Sequence, residues 1–86
     1  MAEFTITFAR SARKDLERLH STVVNRIFPK IEALAKNPRP SGCLKLKGSG
    51  DLWRIRVGDY RVLYSINDAG EVVDINAVRH RREAYE

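Results

Sequence analysis

The chain has 86 residues and carries 16 Lys and Arg against 11 Asp and Glu, a formal net charge of +5. That length is expected to fold as one domain over 1–86 with a modest core, and it excludes a second lobe or an enclosed cofactor cavity, while the basic balance favours a polyanionic or acidic partner. Cys43 is the single cysteine and cannot form an internal disulfide, and His20 and His80 lack zinc-ligand spacing, so no metal or cofactor is expected and a reducing cytoplasm fits.

In chain order, Phe4, Ile6 and Phe8 alternate with Thr5 and Thr7, the period of a strand with one buried face. From Ala9 the pattern changes. Ala12, Leu16 and Leu19 recur at helical spacing, with Arg10, Arg13, Lys14, Glu17 and Arg18 on the remaining surface, which predicts a short amphipathic helix ending near His20. Ser21 or Thr22 can cap a second helix whose apolar stripe is Val24, Ile27, Phe28, Ile31, Leu34 and Ala35. Pro29 inside that stripe predicts a kink or a restart, and Asn37-Pro38 ends the helix. His20 reads as a helix C-terminal cap or a surface residue. The N-terminus has no basic, apolar leader pattern and no later run is long enough to span a membrane.

After a loop at 38–42, residues 43–47 alternate as a second strand with Lys45 and Lys47 on one side. Residues 52–64 then form two alternating strands around Gly58-Asp59. A two-residue loop there pairs Val57 with Tyr60, Arg56 with Arg61, Ile55 with Val62, Arg54 with Leu63 and Trp53 with Tyr64. One face is apolar and aromatic; the other carries Arg54, Arg56 and Arg61. Alternation sends Trp53 to the core. A turn at 67–70 leads to a fifth strand over 72–78, and a four-residue loop predicts Tyr64 opposite Val73, Val62 opposite Ile75, Tyr60 opposite Ala77 and Arg61 opposite Asn76. That register brings the basic tail, 79–86, to the Gly58-Asp59 end of the sheet. The whole reads as an α+β fold, an antiparallel sheet with a helical hairpin packed on one face.

Like charges directly opposite each other on a sheet cost up to roughly 1 kcal/mol, so the Arg56 and Arg61 pair is either a solvated face softened by nearby acids or an anion site. Net charge does not locate that site: 1–40 holds 8 Lys and Arg against 4 Asp and Glu, and 41–86 holds 8 against 7. Clustering must. Arg54, Arg56, Arg61 and Arg81 could converge on one phosphate through planar forks of donors and favour the added charge of a phosphoryl-transfer transition state. RNA carries its own nucleophile in the 2′-hydroxyl. The proton then falls to Tyr85, whose reference pKa of about 10 neighbouring arginines would lower, or to His80, at about 6.5. The alternative is that Tyr85 packs the tail and 79–82 is a solvated basic run.

Taken together, Ala-Arg-Ser-Ala-Arg-Lys-Asp-Leu in the first helix, Asn37-Pro38, Leu44-Lys45-Leu46-Lys47-Gly48, the segment from Trp53 through Gly58-Asp59-Tyr60-Arg61 to Tyr64, and His80-Arg81-Arg82-Glu83-Ala84-Tyr85 resemble the RelE/ParE toxin superfamily over essentially the whole chain. The terminal segment resembles the RelE branch, the mRNA interferase toxins of type II toxin–antitoxin systems. The resemblance implies a RelE-like fold, a small antiparallel-dominated sheet with an N-terminal helical hairpin on one face. It implies a metal-independent, ribosome-dependent endoribonuclease that cleaves mRNA in the A site of the 70S ribosome by 2′-hydroxyl attack on the scissile phosphate, leaving a 2′,3′-cyclic phosphate and inhibiting translation. A cognate antitoxin would neutralise it, and the complex would bind operator DNA through the antitoxin.

Carried onto this chain, the resemblance puts Arg54 and Arg56 at positions that contact and activate the RNA backbone. Arg61 would bind the scissile phosphate. Arg81 would stabilise the transition state and assist the leaving group, and Tyr85 would act as general base. Lys45, Lys47, Arg79 and Arg82 would add to the RNA-binding surface. Two departures matter: the first two positions are lysines in the best-known member, and the spacing from Arg81 to Tyr85 is shorter here. Arginine is a poor proton donor, so His80, which some relatives use, is a candidate for protonating the leaving oxygen. The alternative within the superfamily is a ParE-like inhibitor of DNA gyrase without RNase activity.

Overall fold

The computed structural model describes residues 3–48 and 50–82. The elements run β1 (Thr5–Phe8), α1 (Arg10–Glu17), α2 (Ser21–Ala33), β2 (Leu44–Lys45), β3 (Leu52–Val57), β4 (Tyr60–Asn67) and β5 (Val72–His80). They build one sheet in the order β1-β5-β4-β3-β2, antiparallel throughout except that β1 runs parallel to β5. The α+β architecture matches the expectation from sequence. Ala12, Ile27, Ile31 and Leu34 from the helical segment pack with Ile55, Val57, Val62, Tyr64, Val73, Ile75 and Val78 as one buried cluster. No helix among the described residues is long and apolar enough to cross a membrane.

Pro29 neither breaks nor restarts α2, which runs continuously through it. The balance explains this. Ile27, Ile31 and Leu34 are at most 1% exposed, and burying each contributes roughly 1.5–3 kcal/mol against a penalty of ~3 kcal/mol for an interior proline. Asn25 and Pro29 are both exposed, so the carbonyl that loses its partner faces water. The helix starts one residue earlier than expected. Its N-cap is His20, whose Nδ1 accepts from the Thr22 amide at 3.2 Å, in place of a Ser21 or Thr22 cap.

The central hairpin follows the expected register pair by pair. Gly58 has φ of 60° and Asp59 does not share the positive value, the pattern of a two-residue loop with glycine first. β2 is shorter than the expected 43–47. Only Leu44 and Lys45 pair with β3, and Leu46 donates one more amide hydrogen bond, to Leu52, before the turn at Gly48.

The register between β4 and β5 differs from the expected one. Tyr64 faces Ile75, Val62 faces Val78, Tyr60 faces His80, and Arg61 faces Arg79 rather than Asn76. There are two causes. The loop occupies 68–71, with Glu71 at φ of 55° and the Gly70 amide donating to Asn67 Oδ1 at 2.9 Å. A β-bulge between Leu63 and Tyr64 then leaves Asn76 unmatched and shifts the pairing again. β1 stops pairing at Ile75, so the edge of β5 beyond it needs other partners. Helix α1 supplies them: Ser11 Oγ donates to the Asn76 carbonyl at 2.6 Å, and Asp15 Oδ2 accepts from the Val78 amide at 3.0 Å. β5 therefore continues to His80, two residues past the expected end.

Candidate phosphate-binding site

Directly paired residues share a face of the sheet, so Arg56, Arg61 and Arg79 stand in one row across β3, β4 and β5 on the face away from Val57 and Tyr60. Arg61, at the centre, is 9% exposed. Beyond His80 the chain turns, and the Arg81 amide donates to the Asp59 carbonyl at 2.7 Å, which ties the start of the tail to the hairpin tip. The Arg81 guanidinium lies 3.9 Å from the Asp59 carboxylate, both well exposed. The result is a cavity of about 310 Å³ lined by Arg56, Gly58, Asp59, Arg61 and Arg81. Among the described residues three guanidinium groups border it against one carboxylate. Planar forks from several strands suit a tetrahedral oxyanion such as a phosphodiester, and they favour the more highly charged pentacoordinate state over the ground state.

The sequence-based candidates divide. Arg56, Arg61 and Arg81 meet at the cavity, and Arg79 extends the row. Arg54 lies one step along β3 on the same face, opposite Leu44 and Leu63. Lys45 pairs with Trp53, which faces the core, so it does not join the arginines, and Lys47 belongs to the turn after β2. Arg82 is exposed past the end of β5. Tyr85 lies outside the described residues. His80 pairs with Tyr60 and meets its ring edge-on at 5.2 Å, on the face opposite the arginine row. Its Nδ1 accepts from the Arg82 amide at 3.3 Å, which leaves the proton of the neutral ring on Nε2.

Arg26 of α2 was absent from the sequence reading. A Cβ placed on Gly58 would fall 2.8 Å from its Nη2, so the guanidinium lies against the hairpin tip that carries the cavity. The only sequence signal was Gly58 itself, which its positive φ already explained. Trp53, expected in the core, is half-buried, with the Arg39 guanidinium 5.0 Å above its ring.

The chain matches the family model described as ParE toxin of type II toxin-antitoxin system, parDE, over residues 6–85. It is 31% identical over 85 residues to toxin RelE3 of Methanocaldococcus jannaschii, covering 94% of each chain. Among solved structures it resembles the RelE–RelB complex of Pyrococcus horikoshii at 31% identity and a TM-score of 0.80, over 92% of this chain and 96% of that one. It also resembles the RelBE2 toxin-antitoxin complex of Mycobacterium tuberculosis at 28% identity and a TM-score of 0.82, over 92% of this chain and 99% of that one. The chain belongs to the ParE toxin family and is a RelE-like toxin of a type II toxin–antitoxin system.

Proposed function

We infer that the chain is a ribosome-dependent endoribonuclease that cleaves mRNA in the A site, and that a cognate antitoxin restrains it. The observation that carries this reading is the Arg56, Arg61 and Arg79 row with Arg81 beside it, around a cavity of about 310 Å³. In the proposed reaction the RNA 2′-oxygen attacks the adjacent phosphorus, the bond from phosphorus to the 5′-oxygen breaks, and a 2′,3′-cyclic phosphate remains. Arg61 holds the scissile phosphate from the centre of the row, with Arg56 and Arg81 on either side of the developing charge. Arg54 and Arg79 grip the neighbouring backbone. The resemblance assigns removal of the 2′-hydroxyl proton to Tyr85 and delivery of a proton to the departing 5′-oxygen to Arg81. His80, facing the other way, is better placed to fix Tyr60 and the Arg82 amide than to reach the leaving oxygen. No cofactor enters this chemistry.

The open cavity offers no enclosed pocket for a base, which suits an enzyme whose substrate is positioned by the ribosome. Two structural relatives are recorded as toxin–antitoxin complexes, which supports an antitoxin as partner here, with operator DNA bound through that antitoxin. A cytoplasmic site of action follows from the proposed substrate. The match to the ParE family model favours one second reading, inhibition of DNA gyrase without RNA cleavage.

Purified 70S ribosomes programmed with a defined message separate the two. The proposal expects cleavage within the A-site codon and a 2′,3′-cyclic phosphate end. Intact message under those conditions, together with inhibition of gyrase supercoiling, would replace it with the second reading.

A further inference from the structure

A second cavity, of about 550 Å³, lies beside the first at the edge of β3. Its lining combines apolar groups, from Ala33 of α2, Pro40 and Ile55, with basic ones, from Lys30, Arg54 and Arg56. Among the described residues no carboxylate lines it. Arg56 borders both cavities, so the two adjoin at that side chain. We propose that this second cavity seats the nucleotide next to the scissile phosphate, its base against Ala33, Pro40 and Ile55 and its backbone phosphate between Lys30 and Arg54. The proposal rests on the RNA-cleavage reading and adds to it a substrate subsite and a new RNA-contacting residue, Lys30.

The sheet explains why the space is open. β2 covers β3 only at Trp53 and Arg54. Leu46 donates to Leu52, so by alternation Leu44 and Arg54 form the next hydrogen-bonded pair, and the Arg56 amide and carbonyl point to the same, now uncovered, edge. The same geometry argues against an added peptide strand. β3 ends at Val57, whose backbone turns toward Tyr60 of β4, so a peptide would gain the two main-chain groups of one residue. A nucleotide needs no ladder. It needs an apolar platform for a base and cations for a phosphate, within the ~300–1,000 Å³ usual for small-ligand sites. The signal was hidden in sequence because Lys30 and Ala33 sit on α2, at least nineteen residues before β3, and read as the exposed side of that helix.

The test is a titration of the full-length protein, followed by amide NMR shifts, with three probes: inorganic phosphate, a 2′-O-methylated RNA trinucleotide that cannot be cleaved, and an oligoglutamate peptide. Phosphate is expected to move Gly58, Arg61 and Arg81. The trinucleotide is expected to move Lys30, Ala33 and Gly42 as well and to bind roughly tenfold tighter or more, because linked contacts share one binding event. Lys30→Ala and Ala33→Trp, both at exposed helix positions, should bring the two affinities closer together. Trinucleotide shifts confined to Gly58, Arg61 and Arg81 would overturn the subsite and leave the cleavage reading standing. Shifts at Lys30 and Ala33 with oligoglutamate and not with RNA would overturn it in favour of a protein interface. Should the trinucleotide move nothing, the subsite fails, and the programmed-ribosome assay separately decides whether cleavage fails with it.

Discussion

The two ends of the central hairpin use arginine in opposite ways. At the Trp53 and Tyr64 end, Arg39 donates to both carboxylate oxygens of Asp68, at 3.1 and 2.9 Å, and covers Trp53. That hydrogen bonding holds the Asp68 carboxyl below its ordinary pKa and raises that of Arg39. Beneath it the Tyr64 hydroxyl donates to the Pro38 carbonyl at 2.7 Å, and burial, with Cys43 nearby, pushes the phenol well above its usual pKa. At the Gly58 end, Arg56, Arg61 and Arg79 stand side by side, and among the described residues Asp59 is the one carboxylate lining the cavity that Arg56 and Arg61 border with Arg81. An arginine that serves the fold is matched with a carboxylate and a ring. A row of arginines side by side carries a like-charge cost, and the proposed function gives that row an anion to hold.

The largest way to separate the two ends is activity. Arg61→Ala, in a variant confirmed to be folded, should lower A-site cleavage by about 10²–10³ or more, the scale of losing one preorganised donor to a developing oxyanion. Arg39→Ala, measured in the same assay, should leave the rate within a fewfold. Next in size are two hydrogen bonds, one buried and one part-buried, read by urea denaturation. Tyr64→Phe strands the Pro38 carbonyl and Asp15→Ala strands the Val78 amide, and each should cost roughly 1–3 kcal/mol. Asp15→Ala should also reduce cleavage, because that hydrogen bond holds the strand register that sets Arg79 opposite Arg61.

Smaller is Arg79→Thr at the end of the row, which should weaken A-site cleavage less than Arg61→Ala does, a loss that Arg39→Ala would not give. The smallest effect concerns Asp68. Its folded pKa lies below its unfolded one, so the contribution of the Arg39 pair is present above about pH 4 and is lost as pH falls through the folded value. The difference in melting temperature between wild type and Asp68→Asn should therefore shrink below that pH. It should be modest and salt-sensitive, since the pair is exposed.

What could be read from sequence follows from how local each constraint is. A two-residue loop leaves no slack, so the pairing of 53–57 with 60–64 was legible residue by residue. The next pairing was not, because two distant devices set it. Asn67 captures the Gly70 amide and moves the loop one residue along, and the bulge at Asn76 is supported by Ser11 and Asp15, more than sixty residues away. Alternation correctly gathered Arg56 and Arg61, and the expectation that the tail meets the Gly58 end held for its described residues, 79–82, through the Arg81 amide on Asp59. The face of His80 was illegible because the bulge changes which residues of β5 face the helices. Arg26 and Lys30 lie on exposed turns of α2, where a cation carries no sign of what the sheet brings beside it.

The most direct measurement is primer-extension mapping of message on programmed 70S ribosomes with wild type and Arg61→Ala, with chemical analysis of the new 3′ end. The account predicts A-site cleavage and a 2′,3′-cyclic phosphate with the wild type, and at least a hundredfold less with a folded Arg61→Ala. Intact message with the wild type, or undiminished cleavage by the folded variant, would contradict it.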